Sequence, residues 1–155
     1  MALPHNALVL VADGTKCLFL RNHGDQNQID LRVERHDERS DAKNNEMTTD
    51  APGTTRQSGG YGHTAYEETD FHQLEEDRWV KQAAERVNAR ALRNDFDALA
   101  IIAPPRTLGE LRKCLHKETV ARVIIEIDKE MTGRPIPDIE ALLVDKTAPA
   151  EPADV

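Results

Sequence analysis

Two short apolar runs constrain this chain more than any other feature. Ala7-Leu-Val-Leu-Val-Ala12 and Ala98-Leu-Ala-Ile-Ile-Ala103 each carry six residues with no polar side chain. Each is closed by a chain-turning pair, Asp13-Gly14 and Pro104-Pro105 respectively. Six residues suit a strand better than a helix, and a strand apolar on both faces belongs inside a sheet covered on both sides. A central sheet with layers above and below is therefore expected.

The remaining elements arrange themselves around that pair. Asp13-Gly14 is a strong hairpin signal, so Lys16-Cys-Leu-Phe-Leu-Arg21 reads as the returning antiparallel strand. After a polar turn at 22–28, Ile29, Leu31 and Val33 alternate with Asp30, Arg32 and Glu34. That period of two describes an edge strand wet on one face. Patterning then disappears over 36–64, a segment rich in Asp, Asn, Thr, Ser and Gly. So long a loop is generally functional or disordered, and this one is expected to be the most mobile internal segment.

A helix is expected to begin between residues 65 and 71, because Thr64-x-x-Glu67 and Asp70-x-x-Gln73 both fit a capping box. Phe71, Leu74, Val80, Ala83, Ala84, Val87 and Ala91 then recur at helical spacing. Beyond the second apolar run, Thr107 is the expected N-cap of a short helix with Leu108, Leu111, Cys114 and Leu115 as its apolar stripe. Arg122-Val-Ile-Ile-Glu-Ile127 reads as a fifth strand, and Pro137 as the first position of a last helix over 138–143. The order βββ-α-β-α-β-α predicts an α/β, ribonuclease-H-like three-layer domain with a mixed five-stranded sheet in the order 3-2-1-4-5. A ferredoxin-like sandwich fits less well, since it needs a helix directly after the first strand. One domain over 1–144 is expected, followed by a tail over 145–155 of Ala, Pro, Glu and Asp that has nothing to bury.

Composition narrows the functional classes. Twenty basic residues against 28 acidic give a net charge of −8, which excludes coating nucleic acid by bulk charge. No apolar run approaches the roughly 20 residues of a membrane span, and the first residues lack a basic, then apolar, export signal. A cytoplasmic protein with no membrane contact is expected. Cys17 and Cys114 are far apart in apolar surroundings and read as small core hydrophobes. His5, His23, His36, His63, His72 and His116 form no ligand-spaced pair, so no metal is expected, and no motif calls for a cofactor. A two-metal nuclease is likewise unexpected, because the middles of the first and fourth strands carry no carboxylate.

Two features invite binding. Ser58-Gly59-Gly60-Tyr61-Gly62 precedes the long helix, although it lacks the Lys-Ser/Thr of a phosphate-binding P-loop. From Arg106 to Arg122 there are five bases (Arg106, Arg112, Lys113, Lys117, Arg122) against two acids, a basic island on an acidic chain. In contrast, 36–70 holds eight acids against three bases. Lys113 and Lys117, spaced i and i+4, are expected on one outward helix face. Arg106 is expected at the carboxyl edge of the sheet, where open α/β folds bind ligands.

Several segments carry a resemblance. Leu3-Pro-His, Ala7-Leu-Val-Leu-Val-Ala-Asp-Gly14, Leu18-Phe-Leu-Arg-Asn22, Ala103-Pro-Pro-Arg-Thr-Leu-Gly-Glu-Leu-Arg-Lys113 and Ile127-Asp-Lys-Glu-Met-Thr-Gly133 resemble bacterial host attachment proteins. That family is similar to the middle domain of archaeal and eukaryotic peptide-chain release factors and of the ribosome-rescue protein pelota. In the release-factor middle domain a Gly-Gly-Gln loop precedes the long helix and reaches the peptidyl-transferase centre. Gly59-Gly60 match the glycines here, and Tyr61 stands where the glutamine would be. Tyrosine stacks on bases but lacks the primary amide that positions a hydrolytic water. The family's Asp-Arg-Pro-Gly-Arg motif is represented by Asp50-Ala-Pro-Gly-Thr54, without either arginine.

The resemblance implies a non-enzymatic translation-associated factor that contacts ribosomal RNA or tRNA. Its candidate contacts are Arg106, Arg112, Lys113, Lys117, Gly59, Gly60 and Tyr61, and no catalytic residue is assigned. The alternative is a protein-interaction module in host attachment or stress response, with the acidic loop or a sheet edge as its surface. A third possibility is a hydrolase site assembled from Asp13, Arg106 and the loop.

Overall fold

In the computed structural model, which describes residues 3–39 and 65–147, the two apolar runs lie side by side at the centre of a sheet. Strands β1 (Leu8–Ala12), β2 (Lys16–Asn22) and β3 (Leu31–Glu38) form a meander. Helix α1 (Ala65–Leu92) leads to β4 (Leu99–Ile102), and α2 (Pro105–Cys114) with the single turn α3 (Lys117–Val120) leads to β5 (Val123–Ile127). Helix α4 (Ile136–Thr147) closes the described chain. The strand order is β3-β2-β1-β4-β5. β1 is antiparallel to β2, with Ala12 opposite Cys17, and parallel to β4, with Leu8 opposite Leu99. This is the ribonuclease-H-like mixed sheet that the sequence predicts.

Alternation along β1 assigns the layers. Leu8, Leu10 and Ala12 face Trp79, Val80, Ala83, Ala84, Val87 and Ala91 of α1 and Leu108 and Leu111 of α2. Val9 and Val11 face the other way, toward Met131 and toward Ile139 and Leu143 of α4. Every residue of β1 and β4 is buried, which is why neither strand can carry a polar side chain. Among the described residues no helix is long and apolar enough to cross a membrane.

Four expectations need correction, each for a physical reason. β3 runs on to Glu38, and a bulge beside Phe19 and Leu20 inserts Glu34 between Val33 and Arg35. The bulge breaks the expected alternation, leaving Leu31 buried and Val33 46% exposed. On α1, Leu74 is exposed and burial begins at Trp79, while the side chain of Phe71 lies outside the described residues. A helix of 28 residues is about 42 Å long, whereas a five-residue strand spans about 17 Å, so one end of α1 must overhang the sheet. α2 begins at Pro105 with Pro104 at the cap position and no side-chain cap, so Thr107 is a buried first-turn residue instead. α4 starts earlier than expected and continues through Asp145 to Thr147, since nothing interrupts its backbone bonding before Ala148-Pro149. Residues 40–64 and 148–155 lie outside the described residues, and with them the expected mobile loop and most of the tail.

Candidate nucleic-acid interface

Strand direction decides what gathers at each end of the sheet. β1, β4 and β5 run parallel, so the Asp13 turn, the start of α2 and the segment after Ile127 share their carboxyl edge. β3 also ends there, and α1 must travel from that edge to the start of β4. Its overhanging first half therefore stands over the same edge. Contact at Gly14 agrees: a Cβ there would sit 3.0 Å from the Glu76 carboxyl carbon of α1.

Asp13 is the most heavily used group at this edge. Its Oδ1 accepts from the backbone N–H of Thr15 (2.7 Å) and Lys16 (2.6 Å) and from the Thr15 hydroxyl (3.2 Å). Its Oδ2 lies 2.6 Å from the Thr132 hydroxyl, which is also 2.6 Å from Glu130 Oε2 and donates to one carboxylate at a time. Burial alone raises the Asp13 carboxyl, but the bonds from Thr132, Thr15 and Lys16 outweigh it and hold it below the usual carboxylate range. Asp13 is thus a tie between the β1–β2 turn and the segment after β5, and it makes no hydrogen bond or ion pair with Arg106.

A pH test follows from that depressed carboxyl. Asp13→Asn is expected to cost about 1–2 kcal/mol at neutral pH. A depressed folded-state value stabilises above the unfolded value and is lost as pH falls through the folded one. The gap between parent and variant in urea unfolding should accordingly close in strong acid. A gap that stays constant on acidification contradicts the tie.

Arg106 is exposed at this edge and makes no hydrogen bond or ion pair among the described residues. The other bases of the island are not grouped with it. Arg112 binds Glu126 of β5 through its Nε at 2.9 Å, and Lys113 pairs with Glu110 at 3.2 Å. Arg122 is a brace, donating to the Phe96 and Glu118 carbonyls at 3.0 and 2.7 Å and to Asn94 Oδ1 at 2.6 Å. Lys117 is exposed and, among the described residues, unpaired.

Lys113 and Lys117 also do not share a helix. Asn88 of α1 donates to the Cys114 carbonyl (3.0 Å) and accepts from the His116 N–H (2.8 Å) and the Thr119 hydroxyl (2.6 Å), filling the break between α2 and α3. α2 is the crossover from β4 to β5, so it starts at the carboxyl edge and ends at the opposite one. Its ten residues make a helix about 15 Å long, with Arg106 in its first turn and Lys117 three residues beyond its last. Gly59, Gly60 and Tyr61 lie outside the described residues, four to six positions before the start of α1.

Cys17 is fully buried, and burial together with Asp37 pushes its thiol up to about 12, so it keeps its proton at neutral pH. Among the described residues no three His, Cys, Asp or Glu side chains converge so as to hold a metal ion.

Residues 6–143 match the family model described as bacterial archaeo-eukaryotic release factor family 12. The chain belongs to this family. No curated protein matches the chain. Membership in release factor family 12 accounts for the release-factor half of the resemblance and covers the whole sheet and every helix up to Leu143. Sequence reasoning missed the Asp13–Thr132 tie and the Asn88 brace, since both join residues distant in the chain. Thr132-Gly133 within the resembling segment is the one local hint of the first.

Proposed function

We propose that this release-factor relative is a non-enzymatic translation-associated factor that contacts ribosomal RNA or tRNA at the carboxyl edge of its sheet. The supporting observation is family membership across 6–143, on a fold whose longest helix starts four residues after Tyr61 and overhangs that edge. Arg106 is a cation of the edge that no carboxylate of the described residues neutralises, so it is available to phosphate. Lys117, beyond the far end of α2, is another exposed cation without a carboxylate partner among the described residues and suits a phosphate further along a strand. Tyr61 in place of the glutamine leaves stacking rather than water positioning as the role of the Gly59-Gly60-Tyr61 segment.

Ribosome co-sedimentation tests the reading. With few phosphate contacts on an acidic chain, affinity is expected to fall by about tenfold between low and physiological salt. Absence from the ribosome pellet at low salt overturns it. Pelleting that is indifferent to salt favours a protein contact and the interaction-module reading.

A further inference from the structure

A cavity of about 240 Å³ lies where the end of β3 meets α1, lined by Glu38, Arg39, Glu75, Arg78, Trp79 and Gln82. Trp79 is the only tryptophan of the chain and is 6% exposed, yet its indole N–H has no acceptor among the described residues. Beside it the Arg86 guanidinium sits 5.8 Å from the indole centroid. One of its buried nitrogens, Nη1, is also without a hydrogen-bond partner, the nearest carboxylate oxygen being Asp37 Oδ2 at 3.8 Å. Folded proteins rarely leave two buried donors unmet side by side, and such groups call for an acceptor from elsewhere.

The lining says what kind of acceptor. Two arginines face two glutamates, and Arg78 is paired with Glu75 at 2.9 Å, so the cavity has no net charge to hold a bare anion. It offers guanidinium and amide donors, carboxylate and amide acceptors, and the small exposed part of the Trp79 indole. A planar heterocycle with donors and acceptors along its edge matches all of these, and unstacked bases are bound in this way by aromatic, arginine and amide or acidic side chains. The volume falls just below the range of about 300–1,000 Å³ usual for small-molecule sites, which suits a base with its sugar and phosphate outside. We propose that this cavity receives one unpaired nucleobase. The proposal goes beyond the ribosome reading and does not depend on Arg106 or Lys117.

The lone tryptophan makes the test direct. Intrinsic fluorescence of the full chain is titrated with each common ribonucleoside 5′-monophosphate, with ribose 5-phosphate as the control lacking a base. Saturable quenching by at least one mononucleotide and none by ribose 5-phosphate is expected. Arg78→Ala and Gln82→Ala, both at exposed positions, should keep the fold and weaken that binding about fivefold to tenfold each. Tighter binding of a single-stranded trinucleotide identifies RNA as the natural source of the base, and equal binding a free nucleotide. Three results overturn the proposal: no quenching by any mononucleotide, equal quenching by ribose 5-phosphate, or undiminished binding in both variants.

Discussion

Asn22→Ala is expected to destabilise the protein by about 3 kcal/mol and to lower its melting temperature by roughly 10 °C. Asn22 ends β2 with no exposed surface, and its amide has every hydrogen bond it can use. Nδ2 donates to the carbonyls of Leu3 (3.2 Å) and Pro4 (3.0 Å), and Oδ1 accepts from the N–H of Gly24 (2.9 Å) and Asp30 (3.0 Å). Truncation removes four hydrogen bonds at once, leaves the Leu3 carbonyl and the Gly24 and Asp30 N–H groups unmet while the Pro4 carbonyl keeps the Ala7 N–H, and releases the fully buried Leu3 from its clamp. Asn22→Asp should be at least as damaging, because a carboxylate oxygen would face the two carbonyls that now receive N–H groups. Urea and thermal unfolding measure both variants. A melting temperature for Asn22→Ala within about 2 °C of the parent contradicts this account of how the first residues are held.

Asn22 also marks the boundary of what the sequence discloses. Strands with a single consistent face or none, such as β1, β2 and β4, are legible because their burial is written in consecutive residues. Asn22 reads as a turn residue, since nothing local says that Leu3 and Pro4 fold back over it. The β3 bulge is hidden for a related reason. It places Glu34 within 3.1 Å of Arg21 and 2.8 Å of Arg90, and Arg21 within 2.9 Å of Asp95, a network drawn from β2, β3, α1 and the loop after α1. Burial raises the Glu34 carboxyl on its own, yet the bonds from Arg21 and Arg90 prevail and lower it. Hydrophobic alternation cannot report a residue such as Glu34, which the bulge turns toward charged partners distant in the chain.

The candidate interface divides in the same way. The carboxyl edge and the place of Arg106 on it follow from the Pro104-Pro105 stop and the parallel order of the strands. One-dimensional counting of the basic island cannot see Glu126 beside Arg112, the carbonyls around Arg122, or Asn88 parting α2 from α3. Of its five bases, Arg106 and Lys117 are the two with no ion pair or side-chain hydrogen bond among the described residues.

Those two cations carry the second large expected effect and the most direct test of the proposed function. Arg106→Glu combined with Lys117→Glu alters two exposed side chains outside the core, so thermal unfolding should match the parent. If the two positions contact phosphate, reversal removes both contacts and adds repulsion. Association with ribosomes at low salt should then fall by at least about tenfold, and the salt dependence that remains should be shallower. Lys113→Glu serves as the control, since Lys113 is already paired with Glu110 and its reversal is expected to change pelleting much less. Co-sedimentation of the double variant with purified ribosomes decides the matter. Loss of the pelleted fraction with folding intact is the predicted result, and pelleting equal to the parent contradicts it.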